Sequence, residues 1–290
     1  MSDHKDIDDV SGIETTGHSW DGIKELNNPL PRWWLWTFYA SIAFAAVYTV
    51  LYPAWPLVNS ATTGLLGWSS RADLRTEMSA LEMANADRIA AIRTSDVATI
   101  AADPELRPFA IAAGEASYKV NCVQCHGSGA AGSPGYPNLN DDAWIWGGSL
   151  EEIAVTLQHG IRYAPDPDTR VADMPAFGRD GILDRDQIAD VSQYVLSLTG
   201  RDDRPDAVTR GADIYAQNCI FCHGESGEGM KEVGAPALND AIWLYGRDAT
   251  AIATQISRPR HGVMPAWGER LGDTAIKELA VYVHSLGGGE

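Results

Sequence analysis

Cysteine is scarce in this chain and basic side chains are outnumbered. Only four cysteines occur in 290 residues, as two C-x-x-C pairs with none left over, a pattern for which zinc knuckles, disulfides and haem attachment compete. Lys and Arg total 22 against 39 Asp and Glu, a formal charge of −17. Phosphate binding needs clustered cations, so nucleic acid is an unsuitable partner, whereas a basic protein is compatible. No basic leader with a short apolar run and a small-residue cleavage site opens the chain, so the polar, acidic residues 1–32 do not read as a cleaved signal peptide. Strong period-two alternation is also missing, which leaves a mostly helical fold.

Charge is missing altogether between Arg32 and Arg71. Within that stretch, residues 33–58 are rich in Leu, Ile, Val, Ala and aromatics, and about 20 apolar residues suffice to cross a bilayer. A membrane-spanning helix is predicted there. Trp33, Trp34 and Trp36 stand at one end and Tyr48, Tyr52 and Trp55 towards the other, as interfacial aromatics do, with Pro53 and Pro56 marking the exit. Lys5, Lys24 and Arg32 precede the span and Arg71 and Arg75 follow it, only a weak preference for an inside N-terminus. From Arg71 to Asp103 the sequence is Ala-rich and charged without Pro or Gly, which reads as a long exposed helix or stalk within a linker, residues 59–106.

The remainder is an internal repeat. Gly114, Tyr118, Asn121, Cys122, Cys125, His126 and Gly127 recur as Gly211, Tyr215, Asn218, Cys219, Cys222, His223 and Gly224, at a constant offset of 97 residues. Leu139, Asn140, Asp141, Trp144 and Gly147 match Leu238, Asn239, Asp240, Trp243 and Gly246. His159-Gly160 matches His261-Gly262, and Met174-Pro175-Ala176 matches Met264-Pro265-Ala266. The first half carries residues 161–173 where the second has the lone Val263; with Pro165, Asp166, Pro167 and Asp168 this insertion reads as a surface loop. A linker around residues 200–208, including Asp203, separates a first half, 107–200, from a second, 201–290. Each half begins and ends with a helix. In the last helix Ile276, Leu279, Ala280, Val283 and Leu286 form an amphipathic stripe.

All four cysteines belong to two C-x-x-C-H motifs. Two thiols one helical turn apart can bond the two vinyl groups of a haem while the following His meets the iron, the attachment signature of c-type haem. A zinc site would leave each His without a role, and a redox dithiol needs a βαβ context that is absent. The repeat therefore points to two covalently bound c-type haems.

A Met thioether opposite His suits electron transfer. Of six methionines, Met1 is the start, Met78 and Met83 lie in the stalk, and Met230 has no counterpart in the first half. Met174 and Met264 recur, each in Met-Pro-Ala, and are the candidate distal ligands. His159 and His261 recur too, so bis-His ligation competes; their other reading is a structural or propionate-contacting role. Each half is only about 90 residues, a size at which a protein core is marginal. A haem would supply the missing core, with Trp144, Trp146, Trp243 and Tyr245 against it. Because c-type haem is attached outside the bacterial cytoplasmic membrane, residues 1–32 are expected in the cytoplasm and both haem domains in the periplasm.

Residues 16–23, Thr-Gly-His-Ser-Trp-Asp-Gly-Ile, and 28–34, Asn-Pro-Leu-Pro-Arg-Trp-Trp, followed by two C-x-x-C-H domains, resemble one family over essentially the whole chain. It is the di-haem subunit III, CcoP or FixP, of cbb3-type cytochrome c oxidases. The resemblance implies an all-α fold with one N-terminal transmembrane helix, a helical linker and two tandem class I cytochrome c domains. It implies haems held by Cys122, Cys125, Cys219 and Cys222, with His126 and His223 as proximal ligands and Met174 and Met264 as distal ones. It further implies that the Met ligands are exchanged, Met174 serving the haem at Cys219 and Met264 the haem at Cys122. Some relatives have two spanning helices where this chain has one.

The implied role is electron relay. Electrons would come from a periplasmic cytochrome c or the bc1 complex and pass through a mono-haem subunit to the haem-copper catalytic subunit, where oxygen is reduced. The chain itself carries no copper site and no candidate proton channel. A membrane-anchored di-haem carrier for another respiratory complex has the same haem domains, and only the N-terminal segment argues against it. A di-haem peroxidase needs an open sixth position on one iron, against which both Met residues speak.

Overall fold

The computed structural model describes residues 6–202 and 204–289. Met1, Lys5, Asp203 and Glu290 lie outside the described residues. The chain divides into two compact units, Met1–Ala84 and Asn85–Glu290.

The first unit opens with a β-hairpin, an addition to the helical expectation. Strands β1 (Thr15–Trp20) and β2 (Ile23–Leu26) pair antiparallel with Trp20 opposite Ile23. The turn between them is Asp21-Gly22, with φ values of 50° and 82°, the two left-handed positions that a tight hairpin turn demands and that Asp-Gly supplies. No alternating pattern announces these strands, because all their side chains but Thr15 are exposed and neither face is selected for burial. Asp6 ties the hairpin, accepting from Thr15 Oγ1 at 2.9 Å and from Lys24 Nζ at 2.9 Å.

Helix α1 (Arg32–Leu51) has 20 residues and none of them is buried within the protein. At 1.5 Å per residue it spans about 30 Å, the thickness of a bilayer's hydrocarbon core. It stops at Leu51 rather than at residue 58. Tyr52, which precedes Pro53, adopts φ −114° and ψ 163°, the extended geometry that a following proline imposes. The chain then folds back, and Leu65 N and Leu66 N donate to the carbonyls of Val50 and Leu51 at 2.9 and 3.1 Å, satisfying acceptors that a helix end leaves free. Helix α2 (Ser70–Thr94) follows over 25 residues and ends short of the expected Asp103, where Asp96 caps a separate helix, and Ile92, Val97 and Ile100 are buried rather than exposed as the stalk reading expects.

The helices of the second unit, joined by long loops, are α3 (Val97–Ala102), α4 (Leu106–Asn121), α5 (Val123–His126), α6 (Leu150–His159), α7 (Arg185–Ser197), α8 (Pro205–Asn218), α9 (Ile220–His223), α10 (Ala249–Ser257), α11 (Gly268–Leu271) and α12 (Asp273–His284), with a 3-10 turn at Lys231–Val233. The starts are set locally. Ser149 with Glu152 and Asp184 with Gln187 form reciprocal capping boxes, Asp96 and Asp248 cap α3 and α10, and Pro205 opens α8.

The closing helices change places between the halves. Helix α4 packs on α12, which also packs on α6, while α8 packs on α7 and α7 on α10. One buried cluster joins Tyr118, Ile153 and Leu157 to Ile276, Leu279, Ala280 and Val283. The other joins Ile188, Val191 and Val195 to Tyr215, Ile252 and Ile256. Each cluster thus draws on both sides of the repeat. Both crossings depend on glycine: a Cβ on Gly114 would lie 2.3 Å from the Glu278 carbonyl oxygen, and one on Gly211 would lie 2.2 Å from that of Asp190.

Candidate haem-binding sites

Each C-x-x-C-H motif sits where a long helix ends and a short one begins. Tyr118 and Tyr215, 1% and 2% exposed, anchor the two junctions. Their hydroxyls donate to the carbonyls of Gly127 and Gly224, each at 2.9 Å, so each tyrosine pins the residue that follows the motif histidine. Burial pushes the Tyr118 phenol up to about 12 and raises that of Tyr215 as well.

The four cysteines form no disulfide. Cys122 and Cys219 are half-buried, and burial pushes each thiol up to about 11; Cys125 and Cys222 are exposed. His126 Nδ1 lies 3.0 Å from the Pro137 carbonyl oxygen and His223 Nδ1 lies 2.9 Å from that of Pro236. A carbonyl only accepts, so Nδ1 carries the proton and Nε2 keeps its lone pair free for a metal. Burial lowers the pKa of both imidazoles and favours this neutral form.

Met264 packs, half-buried, against the same buried cluster as Cys122 and Val123; Met174 packs against the same buried cluster as Cys219 and Ile220. The Met-Pro-Ala segments therefore cross between the halves together with the helices. Backbone hydrogen bonds fix the crossing: Ile161 N donates to Met264 O at 2.9 Å, Met264 N to Ile161 O at 3.0 Å, and Trp267 N to Leu157 O at 2.9 Å. The insertion is held in turn, with Arg162 donating to the carbonyls of Ala172 and Gly262, and Arg170 donating to that of Trp146.

His159 and His261 meet the inserted loop. His159 Nδ1 is 3.2 Å from Asp166 and His261 Nδ1 is 3.7 Å from Asp173, so both rings face carboxylates of the inserted loop. Ligand atoms of His159, Asp166 and Asp168 come within 4.8 Å of one another, a grouping that the His159–Asp166 pair already accounts for. Trp144 and Trp243 pack against the two clusters. Trp146, Tyr245 and Trp243 lie beneath the guanidinium groups of Arg170, Arg260 and Arg201, at 5.7, 4.7 and 5.4 Å.

Each site thus offers two thiols one turn apart, an imidazole with a free Nε2, and a thioether side chain in the same apolar cluster. Those donors fit a covalently attached haem. Sequence reasoning missed the carbonyls of Pro137 and Pro236 and the Ile161–Met264 bridge. The two prolines recur at the same offset as Leu139 and Leu238, a signal that was available.

Three family models match consecutive parts of the chain. Residues 12–59 match the N-terminal domain of cytochrome oxidase-cbb3, FixP; residues 111–199 match cytochrome c; residues 206–283 match cytochrome c oxidase, cbb3-type, subunit III. The cbb3-type cytochrome c oxidase subunit FixP of Rhizobium meliloti is 53% identical over 287 residues, covering 99% of both chains. The chain belongs to the FixP/CcoP family. Its CcoP relative from Cereibacter sphaeroides is 54% identical over 276 residues, 95% of each chain, and one from Azospirillum brasilense is 50% identical over 293 residues. The hairpin and α1 lie within the segment matched to the FixP N-terminal domain, and the two C-x-x-C-H sites lie within the two cytochrome matches. A FixP/CcoP chain is a membrane-anchored protein with cytochrome c domains, and cytochrome c domains imply haem c.

Proposed function

We propose that this chain is the di-haem electron relay of a cbb3-type oxidase. Cys122 and Cys125 hold one haem by thioether bonds and Cys219 and Cys222 the other, with His126 and Met264 ligating the first iron and His223 and Met174 the second. A c-type haem bound in this way supplies a one-electron Fe(III)/Fe(II) couple, whose potential a Met ligand raises. The Pro137 and Pro236 carbonyls orient the two imidazoles, and the apolar clusters exclude water from the Met sulfurs. What most supports this ligand exchange is that Met264 packs on the same buried cluster as Cys122, and Met174 on the same one as Cys219.

Helix α1 anchors the chain in the bacterial cytoplasmic membrane, with residues 1–32 on the cytoplasmic side and both cytochrome domains in the periplasm. The relay takes electrons from a periplasmic cytochrome c or the bc1 complex and delivers them, through a mono-haem subunit, to the oxygen-reducing haem-copper subunit. Purification of the tagged chain in mild detergent tests this assignment. The expected result is co-purification of a mono-haem c subunit and a large b-haem and copper subunit; recovery of the di-haem chain alone under conditions that keep other respiratory complexes intact would contradict it.

A further inference from the structure

The two helix crossings are built alike, and they differ in how the carboxyl at each crossing is paired. In the second cluster, Asp190 of α7 faces α8, and Arg210 grips it with two hydrogen bonds of 2.7 Å each. That guanidinium holds the Asp190 carboxyl below its usual range. In the first cluster the repeat places Glu278 of α12 where α7 has Asp190, but Ala113 where α8 has Arg210. Glu278 therefore sits half-buried at the α4–α12 crossing, its own carbonyl against Gly114, without the cation that its counterpart has.

Among the described residues no other charge is recorded against its carboxyl. On α4, Glu115 and Lys119 pair with each other at 2.7 Å, and Arg107 lies at the far end. On α12, Lys277 pairs with Asp273 at 2.8 Å and donates to the Arg93 carbonyl of α2. Asp96 caps α3, Glu152 is bound to Ser149 of α6, and Arg270 of α11 lies over Trp267; His159 of α6 pairs with Asp166. The same elements also carry Glu151 on α6, Glu269 on α11, Asp103 after α3, Arg93 and Arg88 on α2, the latter over Phe109, and His284 and Tyr282 on α12. Burial alone displaces Glu278, pushing its carboxyl up to about 7.

A short path leads from this carboxyl to the first haem site. Tyr282 stands one helical turn beyond Glu278, and its ring centroid is 5.4 Å from that of Tyr118. Tyr118 in turn donates to the carbonyl of Gly127, next to His126. Between half-buried groups a unit charge acts over such a span with less screening than in bulk water.

We propose that Glu278 is a proton-binding residue coupled to the redox state of the haem held at Cys122 and Cys125. This rests on the haem assignment above. One electron from a one-electron reductant, such as a reduced cytochrome, and one proton from solvent are taken up together. The reductant is oxidised, the iron is reduced, and the Glu278 carboxylate gains an O–H bond. The haem at Cys219 has no such partner, because Arg210 keeps Asp190 ionised.

Redox titration of the full, haem-loaded chain between pH 6 and 8 tests this. The midpoint of the transition that Cys122→Ala/Cys125→Ala removes should fall as pH rises through about 7, and the other transition should stay flat. Glu278→Gln should abolish the fall, and Ala113→Arg should move it to lower pH. Reduced-minus-oxidised infrared spectra should show a protonated carboxyl band on reduction that Glu278→Gln lacks. A fall that persists in Glu278→Gln, or a wild-type midpoint independent of pH, would overturn the proposal while leaving the haem assignment intact. A c-type haem count below two would overturn that assignment and this proposal with it.

Discussion

Met264 and Ile161 exchange two backbone hydrogen bonds, at 2.9 and 3.0 Å, and through them a ligand candidate from the second half of the repeat is fastened to the first. The same exchange is written in the helices, since α12 closes on α4 and α7 on α8. A segment limited to residues 107–200 would lack α12 and leave Tyr118, Ile153 and Leu157 uncovered. One limited to 201–290 would lack α7 and uncover Tyr215, Ile252 and Ile256. Expressed separately, neither should give a cooperative thermal transition, whereas residues 85–290 together should. Independent folding of either fragment would show that the exchange is dispensable.

The helix crossings make a second prediction. Gly114→Val and Gly211→Val each place a branched side chain against a backbone carbonyl that cannot yield. Overpacking of this kind costs about 1–3 kcal/mol. Urea denaturation followed by circular dichroism should show a lower midpoint for both variants, while a surface control such as Ala216→Val stays near wild type.

Much of this was legible beforehand, for identifiable reasons. The C-x-x-C-H motifs, the paired Met residues and the uncharged stretch before Arg71 announce themselves because each chemistry needs particular residues at particular spacings. The exchange of helices was not readable from pattern. Ile188, Val191 and Val195 on α7 form the same kind of stripe as Ile276, Leu279 and Val283 on α12, and a stripe does not say which of two similar clusters it covers. The hairpin was missed because its exposed strands lack alternation, although Asp21-Gly22 was in view. The carbonyls that orient His126 and His223 belong to the backbone, which carries no side-chain signature.

Loss of the tyrosine hydroxyls offers a finer test. Tyr118→Phe and Tyr215→Phe leave the ring packing intact and remove the hydrogen bonds to Gly127 and Gly224. Each should cost about 0.5–1.5 kcal/mol, measured by denaturant midpoint, with the haem content unchanged.

Stability against pH should carry opposite signatures from the two crossing carboxyls. Glu278 holds its proton more tightly folded than unfolded, with a pKa of about 7 against an ordinary 4.5. Between those values the folded state binds more protons, so stability falls as pH rises towards about 7. Asp190 is held low by Arg210, so its contribution is complete above the ordinary carboxylate range and is lost as pH falls below it. Denaturation midpoints from pH 3 to 8 should flatten at the upper end in Glu278→Gln and at the lower end in Arg210→Ala.

The exchanged ligation is tested most directly by a redox-monitored absorption titration of Met264→Leu in the full haem-loaded chain. One of the two transitions should move to lower potential, and it should be the one that Cys122→Ala/Cys125→Ala removes. Movement of the transition belonging to Cys219 and Cys222, or of neither, would contradict the account.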